Sequence, residues 1–279
     1  MTGAAGKIGS HVVLELVKHG HSVRASDRRP VPDDVRAAAE VLYADLTDPL
    51  AMLNAVQGCD TIAHIGAIPQ PSLPPDEVLW LNVIGSQNVL EAARAEGIPK
   101  VVLTSSVGAL GFSFPTHPCL PDYLPVDTMH PRRPQDVYGL SKLMNEESAA
   151  AMTRLCGMTT IVIRPPYVMD IDHAKQSGWL RHYTERRGEE RGSSLWGYID
   201  VLDQAVAFRL ALETALTGHY IFYTMADDLA VNASLGELTE RHFPQLLPDL
   251  ARQTFYDLTP AREQLGFVAE RTWRKALEE

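Results

Sequence analysis

The chain has 279 residues, 45% of them apolar, and a formal net charge of -10. That length allows one large α/β domain, or one domain with a smaller appendage, around a sizeable core. The acidic balance argues against a nucleic-acid partner, which needs clustered Lys and Arg, and no apolar run approaches the roughly 18 residues that span a bilayer.

Cys59, Cys119 and Cys156 are scattered and odd in number, which is no disulfide framework and points to a reducing compartment. With no basic-then-apolar leader, the expected location is cytoplasmic. Ten histidines lack metal-ligand spacing, and the nearest pair, His117 and Cys119, has no second pair, so no metal is expected. Arg181, Arg186, Arg187 and Arg191 alternate with Glu185, Glu189 and Glu190 and read as a solvated mixed-charge face.

In chain order, helices and strands alternate. Lys7 to His19 reads as a helix with Gly20 just past its end, and His21 to Ser26 as a strand ending at Asp27. Asp33 to Ala39 is a short helix and Val41 to Ala44 a strand ending at Asp45. Asp48-Pro49 opens a helix with Asp at N-cap and Pro at N1, closed by Gly58. Thr61 to Ile65 is a strand, and Asp76 to Glu96 one long helix stopped by Gly97. Lys100 to Ser105 is a buried strand, Asp136 to Cys156 a second long helix, and Thr159 to Arg164 a strand closed by Pro165-Pro166. After a polar stretch, Asp170 to Ser194, come a strand at Trp196 to Ile199, a helix at Val201 to Leu216 and a strand at Tyr220 to Tyr223. Short helices at Leu235 to His242, Pro260 to Leu265 and Thr272 to Leu277 finish the chain.

This alternation predicts an α/β fold, a Rossmann-type doubly wound parallel sheet, over residues 1–166. The looser segment 167–279 is expected to be mainly a small substrate-binding region, with 197–223 returning to the first domain. Ligands of such sheets bind at the carboxyl ends of the strands, so Asp27, Asp45, His64 to Ala67, Ser105-Ser106 and Arg164 to Tyr167 are the positions to read.

Gly3, Gly6 and Gly9 stand three apart at the opening of the first helix. Backbone N–H groups at a helix N-terminus, with the helix dipole behind them, suit a pyrophosphate, and glycines let the backbone come close to it. Gly3, Gly6, Lys7, Ile8 and Gly9 are therefore cofactor-binding candidates. Asp27 lies 18 residues past Gly9, where a carboxylate can accept hydrogen bonds from ribose hydroxyls; it could also cap a turn. Arg28 and Arg29 could instead hold a 2′-phosphate, which Asp27 would repel, so NAD is favoured and NADP is the alternative. Asp45, followed by Leu46, could reach the adenine edge or simply close a turn.

Tyr138 and Lys142 are four apart on a helix and project from one face. Free tyrosine titrates near 10, and lowering that by about three units takes roughly 4 kcal/mol. A nearby ammonium in a partly dry site, with a positive nicotinamide ring, supplies energy of that order. The tyrosinate would then take a proton from a substrate hydroxyl as hydride leaves. A hydroxyl at the end of the strand before it, Ser106 with Ser105 as rival, could hold the reacting oxygen.

Taken together, Thr2-Gly3-x-x-Gly6-x-x-Gly9, Asp45-Leu46, His64-Ile65-Gly66-Ala67, Thr104-Ser105-Ser106 and Tyr138-x-x-x-Lys142 resemble an extended short-chain dehydrogenase/reductase of the NAD-dependent epimerase/dehydratase kind. The resemblance covers nearly the whole chain. It implies that Tyr138 is the catalytic acid or base and that Lys142 lowers its pKa and holds the nicotinamide ribose. It further implies that Ser106 binds the reacting oxygen, that His64, Gly66 and Ala67 line the cofactor, and that Tyr167 meets substrate. The family often has Tyr-Gly four residues after the serine; Leu110-Gly111 stands there, which favours Ser106 by register. Asp170 follows Tyr167-Val168-Met169 where the family commonly shows Gly-Pro.

The expected activity is hydride transfer between NAD(P) and a secondary alcohol or lactol of a small sugar acid or aldose, by an enzyme expected to be a homodimer. A nucleotide-sugar epimerase or dehydratase is the alternative, and a non-catalytic dinucleotide sensor the alternative of another class. Only Met1 and Thr2 precede the first glycine, so the strand that should lead into the loop is expected to be missing and the chain to be an N-terminally truncated form.

Overall fold

The computed structural model describes residues 1–117, 119–185 and 193–278. The mixed-charge face expected at Arg186, Arg187 and Arg191 lies outside them.

In chain order the elements are α1 (Lys7–Lys18), β1 (Arg24–Asp27), α2 (Asp33–Ala38), β2 (Glu40–Tyr43), α3 (Pro49–Val56), β3 (Ile62–His64), α4 (Pro75–Leu79), a π-helical turn (Trp80–Ile84), α5 (Gly85–Ala95) and β4 (Lys100–Thr104). A 3₁₀ turn (Val107–Leu110) follows, then α6 (Val137–Cys156), β5 (Thr159–Arg164), β6 (Tyr167–Met169), α7 (Ile171–Gln176) and α8 (Trp179–Thr184). After a second 3₁₀ turn (Ser193–Trp196) come β7 (Tyr198–Asp200), α9 (Val201–Glu213), β8 (His219–Tyr223), α10 (Leu235–His242), α11 (Thr259–Leu265) and α12 (Trp273–Glu278).

β3, β4, β5 and β8 pair in that order, β1 pairs with β2, and all of these pairs are parallel. Apolar runs such as Val101-Val102-Leu103 are continuous because both faces of the sheet are covered. Val102, Ile161 and Ile163 face a core shared with Val12, Val13 and Phe208 of α1 and α9. Val101, Leu103 and Val162 face the opposite core, with Met52, Leu90 and Met152 of α3, α5 and α6. A third core, around Phe112, Trp196, Phe243 and Phe255, lies under the last third of the chain.

Among the described residues, Thr2 alone bridges both halves of the sheet. It forms a parallel bridge to Ser26 on one side and to His64 on the other. Its N–H donates to Ala63 O at 3.0 Å, its carbonyl accepts from Ile65 N at 3.3 Å, and Met1 O accepts from Ser26 N at 2.8 Å. Among the described residues no full strand stands between β1 and β3. The ladder is nonetheless closed at the carboxyl end of the strands, where the glycine loop begins.

Three expectations are corrected. The helix expected from Asp76 to Glu96 is interrupted by the π turn, in which Asn82 O accepts from both Asn145 Nδ2 (3.0 Å) and Ser86 Oγ (2.6 Å). The helix expected to reach Leu216 stops at Glu213, where Thr214 turns to ψ 147° and the Lys100 ammonium satisfies the Leu212 and Thr214 carbonyls. The strand expected at Trp196 begins at Tyr198, since Ser194, Leu195 and Trp196 all have φ between +50° and +56°; it pairs with β6 in a separate two-stranded sheet. Among the described residues no helix is long and apolar enough to cross a membrane.

Candidate active site

The glycine loop is packed too tightly for side chains. A Cβ on Gly9 would stand 2.0 Å from Gly3 O, and one on Gly3 would stand 2.5 Å from Gly66 N. Gly6 differs: its Cβ would meet only Gly3 O, at 3.3 Å, so its bare backbone leaves room for a ligand rather than for protein. Gly6 is also the N-cap of α1 and offers no side-chain cap, so the first-turn N–H groups of Lys7, Ile8 and Gly9 are left for an external acceptor. These features fit a dinucleotide pyrophosphate. The Lys7 ammonium instead reaches Val168 O, at 3.4 Å.

Asp27, the last residue of β1, pins the loop. Oδ2 accepts from Ala5 N at 3.0 Å and Oδ1 from Arg29 N at 2.9 Å. Each oxygen keeps a second lone pair, so ribose hydroxyls can still be accepted. Asp45 is a turn residue: its Oδ1 takes both the N–H (2.9 Å) and the hydroxyl (2.8 Å) of Thr47, bonds that hold its carboxyl below the usual range, and Arg28 stands 3.8 Å away. Leu46 packs against the Cα positions of Gly66 and Gly85, where Cβ atoms would lie 2.9 and 2.8 Å from its side chain. Ala67 is half-buried beside Gly66.

His64 is the clearest correction among the cofactor candidates. Its ring is enclosed, with Nδ1 2.7 Å from Thr2 Oγ1 and Nε2 2.8 Å from Ser86 Oγ. Both nitrogens are occupied, so the ring has no face for a ligand. It ties the first residues of the chain to α5.

The end of β4 separates the two serines. Ser105 Oγ turns inward and donates to Glu146 Oε1 at 2.5 Å. Ser106 turns the other way; its Oγ accepts from Gly108 N at 3.0 Å. A Cβ on Gly108 would lie 3.2 Å from both Ser106 Oγ and the Tyr138 ring, so all three share one small space. Asp136 caps α6 by accepting from Gly139 N at 2.9 Å, which places Tyr138 in the first turn facing that space. Lys142, one turn on, is buried, donates to Thr104 O at 2.9 Å and lies 5.7 Å from the Tyr138 ring centroid. Ser106, Tyr138 and Lys142 therefore converge at the carboxyl end of β4.

The electrostatics differ from the simple expectation. Burial pushes the Tyr138 phenol up to about 12; its hydrogen bond with Ser106 pulls the other way and the Asp136 carboxylate adds to the rise. Burial lowers Lys142 to about 8, opposed by the charge of Glu146. The protein alone does not lower the tyrosine.

A family model, the NAD dependent epimerase/dehydratase family, matches residues 1–222. The chain belongs to that family. A uronate dehydrogenase of Pseudomonas syringae pv. tomato is 29% identical over 231 residues, covering 83% of this chain and 75% of its own length. Further curated relatives match over 52–59% of this chain and 58–59% of their own length. Among solved structures, MoeE5 in complex with UDP-glucose and NAD superposes with a TM-score of 0.74 at 25% identity, over 99% of this chain and 95% of its own. Glucuronic acid dehydrogenase from Chromohalobacter salexigens superposes with a TM-score of 0.72 at 25% identity, over 99% and 86%.

Two groups around this family site escaped sequence reasoning. Asn82 is fully buried in the π turn: Oδ1 accepts from Ile68 N (2.7 Å), and Nδ2 donates to Ile68 O (3.1 Å) and Ser141 Oγ (3.0 Å). It clamps the loop after β3 onto the Tyr138 helix. The signal was a polar residue in the buried stripe Val78, Asn82, Ser86, Val89. The other group is the buried Glu146–Arg164 pair, whose partners come from separate elements. Tyr167 is nearly half exposed, its ring centroid 6.1 Å from that of Trp179.

Proposed function

We propose that this chain is an NAD-dependent dehydrogenase that oxidises a secondary alcohol or lactol of a small sugar acid or aldose. The observation that carries the reading is the convergence of Ser106, Tyr138 and Lys142 beside a glycine loop built for a pyrophosphate. Relatives named as uronate and glucuronic acid dehydrogenases support the substrate class.

In this reading Gly6 and the first turn of α1 hold the pyrophosphate, and Asp27 accepts the adenosine ribose hydroxyls, which favours NAD over NADP. Bound NAD would supply the hydride acceptor and, when oxidised, a positive charge that favours the phenolate. The Ser106 hydroxyl donates to the reacting oxygen and fixes its position. Tyr138 takes the proton from the substrate hydroxyl. Lys142, held by Thr104 O, has further N–H groups for the nicotinamide ribose and puts its charge near the phenolate. Tyr167 borders the substrate. The homodimer joins two copies through the outer face of α6, where Leu140, Met144 and Leu155 are exposed, and the adjoining π turn, where Trp80 and Ile84 are.

The test mixes purified protein with NAD or NADP and a panel of hexuronates and aldoses and follows reduced-nicotinamide absorbance. NAD is reduced with a sugar acid or aldose, and Tyr138→Phe lowers kcat at least 10³-fold while NAD still binds. Full activity in Tyr138→Phe would defeat the mechanism. Interconversion of a nucleotide sugar without net NADH would instead establish the epimerase alternative.

A further inference from the structure

Behind the serine end of β4 lies a charge pair that the proposed chemistry does not use. Arg164 ends β5 and is fully buried; its Nε and Nη2 each donate to one oxygen of Glu146 at 2.7 Å. Glu146 lies on α6 one turn past Lys142 and two past Tyr138. Its carboxylate also accepts from Ser105 Oγ (2.5 Å) and from Arg132 Nη1 (3.2 Å). Four donors thus fill the four lone-pair directions of one carboxylate. Arg164 Nη1 donates onward to Thr128 O and to the Tyr223 hydroxyl, both at 3.2 Å, and that hydroxyl donates to Asp127 O at 2.9 Å. One buried carboxylate therefore connects β4, β5, β8, α6 and the 127–132 loop.

A buried ion pair is weak support for stability, because desolvation offsets most of the attraction and well-packed apolar residues would do as well. Its directional bonds do something apolar packing does not. Ser105 is fixed twice, by its N–H to Ile163 O at 2.7 Å and by its hydroxyl to Glu146, so the peptide leading to Ser106 has one position relative to α6.

We infer that Glu146 is a positioning residue: it locks Ser105, and through it Ser106, together with the 127–132 loop onto the helix that carries Tyr138 and Lys142. This rests on the reading that Ser106 and Tyr138 handle the reacting oxygen. Misplacement of a positioned group by about 1 Å can cost about 100-fold in rate. Glu146 has a second effect through its charge, which keeps Lys142 from falling further below its ordinary value. The titratable or charged groups facing Glu146 are Arg164 of β5, Arg132 of the loop, Tyr223 and His219 of β8, and Lys142 of its own helix.

Ser105→Ala removes the tether and leaves the ion pair intact. The expected result is a fall in kcat of the folded protein of about tenfold, with KM and Kd for NAD within twofold; a merely structural serine would lower Tm alone and leave the kcat of folded protein unchanged. Glu146→Gln keeps the shape and removes the charge. In the cofactor-free protein, NMR of ¹⁵N-lysine-labelled samples should then show Lys142 titrating below its value near 8. Should Glu146→Gln not fold, Ser105→Ala decides. A kcat within twofold of wild type in Ser105→Ala overturns the inference when Tyr138→Phe and Ser106→Ala are both inactive. Activity retained in those two variants overturns the proposed function and this inference with it.

Discussion

A histidine at a strand end invites a functional reading, and His64 shows what decides against it. The ring is 4% exposed and spends both nitrogens on hydroxyls. Burial lowers its pKa to about 3, with Lys142 and the terminal amine adding to the fall. In the unfolded chain a histidine titrates near 6.5. Between those values the unfolded state binds the proton and the folded state does not. The stabilisation is therefore present above about pH 6.5 and is lost as pH falls toward 3. At 1.36 kcal/mol per pH unit, about 2 kcal/mol is gone at pH 5. Urea melts should accordingly show wild type losing about 2 kcal/mol more than His64→Gln between pH 7.5 and 5. Equal losses would show that His64 does not titrate this way. The adjacent serines carry a related lesson. Successive side chains at a strand end point to opposite faces, so Thr104-Ser105-Ser106 by itself specified a hydroxyl but not which one, and only the register of Leu110-Gly111 favoured Ser106. Glu146 behind Ser105 and Tyr138 before Ser106 settle their orientation.

At the scale of elements, the segment from α4 to α5 gives the sharpest contrast with its sequence. Apolar periodicity runs through Asp76 to Glu96 and fits a single helix. The π turn inserts one extra residue per turn without breaking that pattern, so the polar Asn82 and Ser86 in the buried stripe were what marked it. β4 and β5 were legible because strands buried on both faces are continuously apolar. β6 and β7, three residues each, were too short to announce their pairing. Asn82→Ala leaves Ile68 N and O without their side-chain partner. At about 1–3 kcal/mol for each group left unpaired, the variant should lose about 2–6 kcal/mol of stability. The loop it frees includes Gly66, which touches Gly3, so NAD affinity should fall with it. Calorimetric melts and NAD titration check both effects. A variant as stable as wild type would mean that water replaces the clamp.

At the scale of the whole molecule, the alternating pattern was enough to place the parallel sheet and the glycine loop. It could not show that a single residue, Thr2, would bridge β1 and β3, because a single residue has no periodicity. Among the described residues, the helices on one side of this sheet carry an exposed apolar stripe. Trp80 and Ile84, four apart, stand exposed on the α4–α5 side, and Leu140, Met144 and Leu155 on α6. Between them runs a groove of about 440 Å³ lined by Gln87, Glu91, Ser148, Ala151 and Leu155 among others. Exposed apolar side chains scattered singly need no explanation, but a stripe along two packed helices does. A second copy related by a two-fold axis would present the same stripe in reverse, and a stable interface needs about 800 Å² on each partner. The net charge of -10 opposes association at long range, so the apolar contact must carry it and high salt should strengthen it. Sedimentation should give twice the 30.8 kDa chain mass at micromolar concentration. Met144→Arg, which places a charge in the middle of the stripe on a side chain outside the core, should give the single-chain mass with the far-UV spectrum unchanged. A wild-type protein that sediments as one chain at 50 μM would leave this face without a second copy and remove the dimer from the proposal.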